Sequence, residues 1–390
     1  MDETYTKRLE TEIWNMAEEL DKNEDFSKVT EFLNSEEGFQ PFGKRLAIFI
    51  AKKLDLDSTD RKTVVQALNE ACGKTGVGLS EIASDNTFRN WFDKGTSRKK
   101  GDPSRRLSMF ALAFALRLSV NETKDLFHKI YLDRAFYYRD EKEVVYYYCL
   151  KNNKSWADAA RLIADVDDLS KDYSDDTQYT QAISNSIDGF QSEQDLLEHI
   201  RRNGHNFEKK SVTVKSKIKY YLSEARKCVQ DETIRYQLDH KNKDTKSNNF
   251  LYETITGMNI TGKEGTKTVS FKNASLPKEI KNCFPQARTL DRYDKDNNMS
   301  SEEYRKTIIL LFSYWYWYQI QCTKNVYTDV DYIKDINNVL SECNFPKMYY
   351  GNPFDWMFVF CTYTSTQDDL LNFYHRPLDL FRDLLESVLK

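Results

Sequence analysis

Apolar positions recur along most of this chain with the 3.6-residue rhythm of amphipathic helices rather than the alternation of strands. Leu9, Ile13, Met16/Ala17 and Leu20 share one face, and the same spacing predicts helices over Phe42–Leu54 and Arg61–Ala71, the latter capped by Ser58 or Asp60. Pro103 suits the first turn of a further helix whose stripe is Leu107, Phe110/Ala111, Phe114 and Leu118. Ser119 or Asn121 caps another, with Thr123, Leu126, Phe127 and Ile130 facing in; a third starts near Asp140 and a fourth runs from Ser155 to Ala164. In the second half the pattern predicts helices over Leu196–Arg201, Thr213–Val229, Ser301–Gln321, Thr328–Cys343 and Asp379–Leu389. His240 to Asn249 reads as a polar loop, Gly262 to Phe271 as a short hairpin, and Asn352 to Met357 as a turn into a buried segment.

Shorter and more informative is the stretch from Leu79 to Gly95, which reads as two helices joined by a turn. Asp85 or Asn86 would cap a helix over about Thr87 to Asp93, and Gly95 suits the left-handed residue that ends it. Phe88, Trp91 and Phe92 fall on one face, leaving Arg89, Asn90 and Lys94 toward solvent. A recognition helix needs this division: apolar anchors on one side, and guanidinium and amide groups free to meet base edges on the other. Arg98, Lys99, Lys100, Arg105 and Arg106 follow at once and are the residue types that neutralise phosphates. The expected nucleic-acid-binding set is therefore Arg89, Asn90, Lys94, Arg98, Lys99, Lys100, Arg105 and Arg106.

Composition narrows the picture. Only 13 Gly and 7 Pro in 390 residues leave few helix breakers, and 24 Tyr with 23 Phe imply interiors stitched by rings. A formal net charge of −4 argues against a chain that coats nucleic acid along its whole surface and confines any such contact to one face. Between Asp165 and Asp195 the sign reverses, with Asp165, Asp167, Asp168, Asp172, Asp175, Asp176, Asp188, Glu193 and Asp195 against Lys171 alone. That run reads as a solvated connector, able in principle to lie against the basic loop and mask it.

The layout expected from these shifts is a helical lead-in over 1–76, a helix-turn-helix-like domain over 77–165, an acidic linker over 166–195 and a C-terminal helical domain over 196–390. The fold class is mostly α, with at most a short β-hairpin.

Chemistry of other kinds finds little support. The seven cysteines, at 72, 149, 228, 283, 322, 343 and 361, include no CxxC pair and fit reduced thiols in a cytoplasmic protein. Asp294-Lys-Asp-Asn-Asn298 begins like a calcium loop, but Met299 replaces the turn glycine and Arg305 the closing glutamate. His128, His199, His205, His240 and His375 form no HExxH, and no phosphate-binding or nucleophile-elbow motif is present. No metal, cofactor or catalytic activity is expected. The start of the chain lacks a secretion-signal pattern, and the apolar run Ile308 to Ile320 falls short of the roughly 20 residues that cross a bilayer, so no membrane contact is expected. The rings from Tyr314 to Tyr318 suit a buried helix better than a stacking platform.

Several phrases, taken in order, resemble a family of bacterial proteins common in Gram-positive anaerobes with a helix-turn-helix-like front half. They are Asn90-Trp-Phe92, Arg105-Arg106, Phe110 to Ser119, Tyr131 to Arg139, Val144 to Asn152, Tyr349 to Met357 and Pro377 to Arg382. The family carries no established activity; the resemblance implies a bacterial cytosolic protein and adds weight to DNA docking. Two readings follow: a DNA-binding transcription regulator acting on double-stranded DNA, with a C-terminal domain that dimerises or senses an effector, or a non-catalytic helical scaffold that binds a protein partner.

Overall fold

The computed structural model describes residues 15–16, 27–34, 39–93, 103–171, 180–208, 212–235, 247–256, 288–294, 299–323, 329–363, 366–367 and 370–371. The protein is mostly α, as the apolar rhythm predicts: 78% of the interpretable chain is helical. Among the described residues the extended structure is one antiparallel pair, Thr366–Gln367 with Leu370–Leu371. The hairpin expected over 262–271, residues 240–246 of the expected polar loop, the helix over 379–389 and the apolar positions Leu9, Ile13, Ala17 and Leu20 lie outside the described residues, and Asn248 and Asn249 of that loop are instead the first residues of a helix.

The chain divides into two compact units. The first comprises Gln40–Thr213 and the returning segment Glu342–Pro346; the second takes in the described residues before Gln40 and the rest from Val214 onward. This differs from the four segments read from the sequence, and the difference centres on the acidic stretch.

Helix α1 (Ser27–Asn34) belongs to the second unit. The first unit opens with α2 (Phe42–Leu54), α3 (Arg61–Thr75), α4 (Leu79–Ile82) and α5 (Asp85–Phe92), followed by α6 (Pro103–Ala115) and α7 (Val120–Asp125). It continues with α8 (Glu141–Lys151), α9 (Trp156–Asp167), α10 (Thr180–Asp188), α11 (Glu193–Arg202) and α12 (Gly204–Glu208). Caps set most starts. Asp60 accepts the Thr63 amide at 3.1 Å, and its hydrogen bonds with Ser58 and Thr63 hold its carboxyl well below the ordinary range. Ser119 with Glu122, Ser155 with Asp158 and Ser192 with Asp195 form reciprocal capping boxes.

Between α7 and α8 the chain does something the rhythm did not foretell. Leu126–Tyr131 is a π-helical turn that ends at Leu132 in the left-handed region, φ 59°. The wider turn buries Leu126, Phe127, Ile130 and Tyr131 together, and Phe127 meets Phe110 of α6 at 4.9 Å.

The stretch expected as an acidic linker is instead part of this unit. Ile183 and Ile187 of α10 and Leu196 and Ile200 of α11 join the same apolar core as Phe110 and Val144. Carboxylates meet cations as they fold in: Asp165 with Arg161 at 3.3 Å, Asp167 with Lys142 at 3.3 Å, and Glu193 with Lys154 at 2.7 Å. Tyr147 donates to Asp188. Residues 172–179, which hold Asp172, Asp175 and Asp176, are not described.

The second unit is built on α13 (Val212–Arg235), α14 (Asn248–Thr256), α15 (Arg288–Asp294), α16 (Ser301–Thr323), α17 (Asp329–Glu342) and α18 (Pro353–Tyr363). The rings of 314–318 are interior: Tyr314, Tyr316, Trp317 and Tyr318 are buried, as expected for core. Phe312 packs on Tyr221 of α13 at 5.5 Å and on Tyr332 of α17 at 6.0 Å. Arg305, read from the sequence only as the residue that spoils a calcium loop, is buried and bidentate to Asp355 at 2.6 and 2.8 Å.

His199 of α11 sits between Phe190 and Phe207, with ring centroids 5.0 and 6.3 Å away, and its Nε2 is buried without a hydrogen-bond partner. Burial pushes its pKa below the ordinary 6.5. A group that binds its proton less readily when folded favours folding most when neutral, so its contribution is complete above about pH 6.5 and is lost as the pH falls below that. We expect the unfolding midpoint to drop between pH 7 and 5, and His199→Phe to flatten that drop; a variant with an unchanged pH profile would locate the dependence elsewhere.

Candidate nucleic-acid interface

The turn Ala83–Ser84 joins α4 to α5. Ser84 caps α5, accepting the Thr87 amide at 3.3 Å and sharing a 2.9 Å hydrogen bond with the Thr87 hydroxyl. The helix therefore starts at Asp85, two residues before the start expected from an Asp85 or Asn86 cap. α4 packs on α6, while α5 packs on α2 and α3.

The inner face of α5 is as expected. Phe88 and Trp91 are buried, Phe92 is half-buried, and Trp91 meets Phe42 of α2 edge-on at 5.5 Å. Gly43 fixes the depth of this contact: a Cβ at that position would stand 1.7 Å from the Trp91 carbonyl oxygen. Only glycine lets the two backbones approach so closely.

The outer face carries Asp85, Asn86, Arg89 and Asp93, all exposed, with Asn90 half-buried. Arg89 keeps 58% of its side chain in solvent and pairs with Asp85 at 2.7 Å. Arg61 of α3 lies alongside, 2.9 Å from Asp93 and 3.8 Å from Asp85. Two guanidinium groups thus alternate with two carboxylates, and among the described residues this face is charge-balanced. The sequence reading missed Arg61, because the fold and not the chain order brings it here. An exposed i,i+4 pair contributes only about 0.3–0.5 kcal/mol. A bidentate guanidinium on a base is worth about 1–3 kcal/mol of discrimination, so Asp85 does not lock Arg89 away from a better partner.

Lys94, Arg98, Lys99 and Lys100, with Gly95, lie outside the described residues. Arg105 is half-buried at the start of α6. Arg106, expected to clasp phosphate, is buried and spent. Its Nε and Nη2 donate to Glu143 at 2.8 and 2.7 Å, Nη1 to Asp133 and the Arg134 carbonyl at 3.0 Å each, and Nη2 also to the Ala135 carbonyl at 3.2 Å. All five guanidinium N–H groups are engaged, which leaves none for a ligand. Phe127 and Tyr137 cover its faces, 4.9 and 4.1 Å away.

The charge state follows from those neighbours. Burial works against the Arg106 cation, but Glu143 and Asp133 outweigh it and hold the group protonated. Burial likewise pushes the Glu143 carboxyl up, while Arg106 and the Tyr137 amide pull it back. The signal for this burial was present in the spacing: Arg106 precedes Phe110 by one helical turn and so shares its face.

Among the described residues, no group of three or more His, Cys, Asp or Glu side chains is placed to hold a metal ion. The described cysteines, 72, 149, 228, 343 and 361, are buried. No described helix is long and apolar enough to cross a membrane. No protein-family model, no curated protein and no solved structure matches the chain.

Replacing Arg106 by Gln should strand Glu143 and Asp133 in the interior and cost about 3–5 kcal/mol, read as a lower midpoint in urea; a shift within error would show that the loop rearranges to solvate them. Gly43→Ala should lever α5 away from α2 and cost about 1–3 kcal/mol, with faster proteolysis near α5. Unaltered proteolysis would mean that α2 yields instead.

Proposed function

We propose that the chain is a DNA-binding regulatory protein that meets double-stranded DNA through the outer face of α5. The observation that carries this reading is Arg89, more than half exposed on a helix whose opposite face is anchored by Phe88 and Trp91. In this reading Arg89 and Asn90 approach base edges, and Lys94, Arg98, Lys99, Lys100 and Arg105 contact phosphates. Arg106 has no part in contact with DNA; it holds the fold behind the interface.

Asp85 and Asp93 shape the binding. Each opposes an approaching phosphate, so the complex needs the neighbouring cations to outweigh them, and affinity should fall steeply with salt. The charge balance of this face also gives one observation in favour of a second reading, a non-catalytic scaffold whose helices bind a protein partner.

Titration of a randomised duplex pool across salt concentrations separates the two. The DNA reading expects salt-sensitive binding, about tenfold weaker in Arg89→Ala and tighter in Asp85→Asn, with folding unchanged in both. Absence of any salt-sensitive shift with duplex in the wild-type protein would favour the scaffold.

A further inference from the structure

Two large apolar side chains stand exposed among the described residues, Leu107 and Tyr220, and Tyr220 is the more exposed at 52%. It lies on α13, in the second unit. The inner side of that helix, with Val214, Ile218, Tyr221, Leu222, Ala225 and Val229, is buried in the unit's core. The outer side presents Lys219, Tyr220, Ser223, Arg226 and Lys227. Along its length the helix carries Lys215, Lys217, Lys219, Arg226, Lys227 and Arg235 against Glu224, Asp231 and Glu232, an excess of cations in a chain whose net charge is −4.

Tyr220 is held rather than loose. Its ring meets that of Tyr221 at 5.0 Å, and Tyr221 in turn meets Phe312 at 5.5 Å and Trp315 at 5.6 Å. The exposed ring is thus the outer end of a row rooted in the core, and little ordering remains to be lost when a flat ligand stacks on it. Lys227 leans on Glu224 at 2.6 Å yet keeps 69% of its side chain in solvent. Such exposed pairs are weak and exchange readily for a phosphate.

We propose that this face of α13 binds single-stranded nucleic acid, with Tyr220 stacking on an unpaired base and Lys219 and Lys227 holding the flanking phosphates. A cationic track with an aromatic ring on it matches a flexible polyanion whose bases are open to stacking. In a duplex the base faces are already stacked on one another, which leaves the ring without a partner. A lipid surface fits less well, because an interfacial helix needs its apolar face for insertion and here that face is occupied by the protein's own core. This inference does not depend on the reading given for α5.

Fluorescence anisotropy of the full chain with a labelled oligothymidylate, and with a duplex hairpin of equal length, tests this. The expected result is single-strand affinity that falls with salt and weakens about tenfold in Tyr220→Ala with near-retention in Tyr220→Phe, while affinity for the duplex is the same in all three proteins. Lys219→Ala should reduce the salt slope by about 0.7, the value for one single-strand phosphate contact. Because Tyr220 and Lys219 are exposed, thermal melts of the variants should overlay the wild type. No binding to the single strand at about 50 mM salt, equal affinity in Tyr220→Ala, equal losses in the Phe and Ala variants, or a loss of duplex affinity in Tyr220→Ala as large as the loss for the single strand would each overturn the proposal.

Discussion

The first unit depends on a guanidinium that cannot be left unsatisfied. Arg106 is carried inward by α6 because it lies one turn before Phe110, and once inside it requires acceptors for five N–H groups. Asp133, the carbonyls of Arg134 and Ala135, and Glu143 from α8 supply them. Those hydrogen bonds fasten the segment from Leu132 to Asp140, which has no regular secondary structure of its own and follows a π-helical turn that ends at a left-handed Leu132. The Tyr137 amide then binds Glu143 at 2.7 Å, which closes the loop on the same carboxylate. Buried ion pairs add little net stability over a well-packed apolar alternative; what this one supplies is a single arrangement of α6, the π-turn and α8.

The second unit repeats the solution with different elements. Arg305 of α16 enters the core opposite Asp355 of α18, its Nη2 also reaches the Lys347 carbonyl at 3.3 Å, and the Tyr349 amide donates to Asp355 at 2.9 Å. In both units a helix-borne arginine gathers a carboxylate and the backbone of an irregular segment. The rest of each interior is filled by rings: Phe110 with Phe127 and Tyr146 in the first, Phe312 with Tyr221 and Tyr332 in the second. Such cores leave the surface to decide function, and the two surfaces singled out differ in kind. On α5, cations are matched by carboxylates; on α13, cations outnumber carboxylates beside an exposed ring.

Helix positions were legible in the chain because they depend on local terms. Apolar spacing and a side-chain cap act within four residues, so α2, α3, α7, α9 and α11 begin at or close to the expected places. The mostly α class, the buried rings of 314–318 and the inward face of α5 follow from the same terms. Of the candidate site, the exposure of Arg89 was readable from Phe88 and Trp91, whereas Arg106, expected on the surface, is buried.

What only the tertiary structure decided involves partners far apart in sequence. Nothing near Arg106 identifies Asp133 and Glu143 as its counter-ions, and nothing near α5 shows that Arg61 will face Asp93 or that Gly43 will receive the Trp91 carbonyl. The acidic stretch looked solvated because charge was counted along the chain, whereas folding sets its carboxylates against Arg161, Lys142 and Lys154 and its isoleucines in the core. Periodicity determines which face of an element is apolar; which charges end as pairs is set by the packing of those faces, since electrostatic energy depends on distance in space and not on distance along the chain.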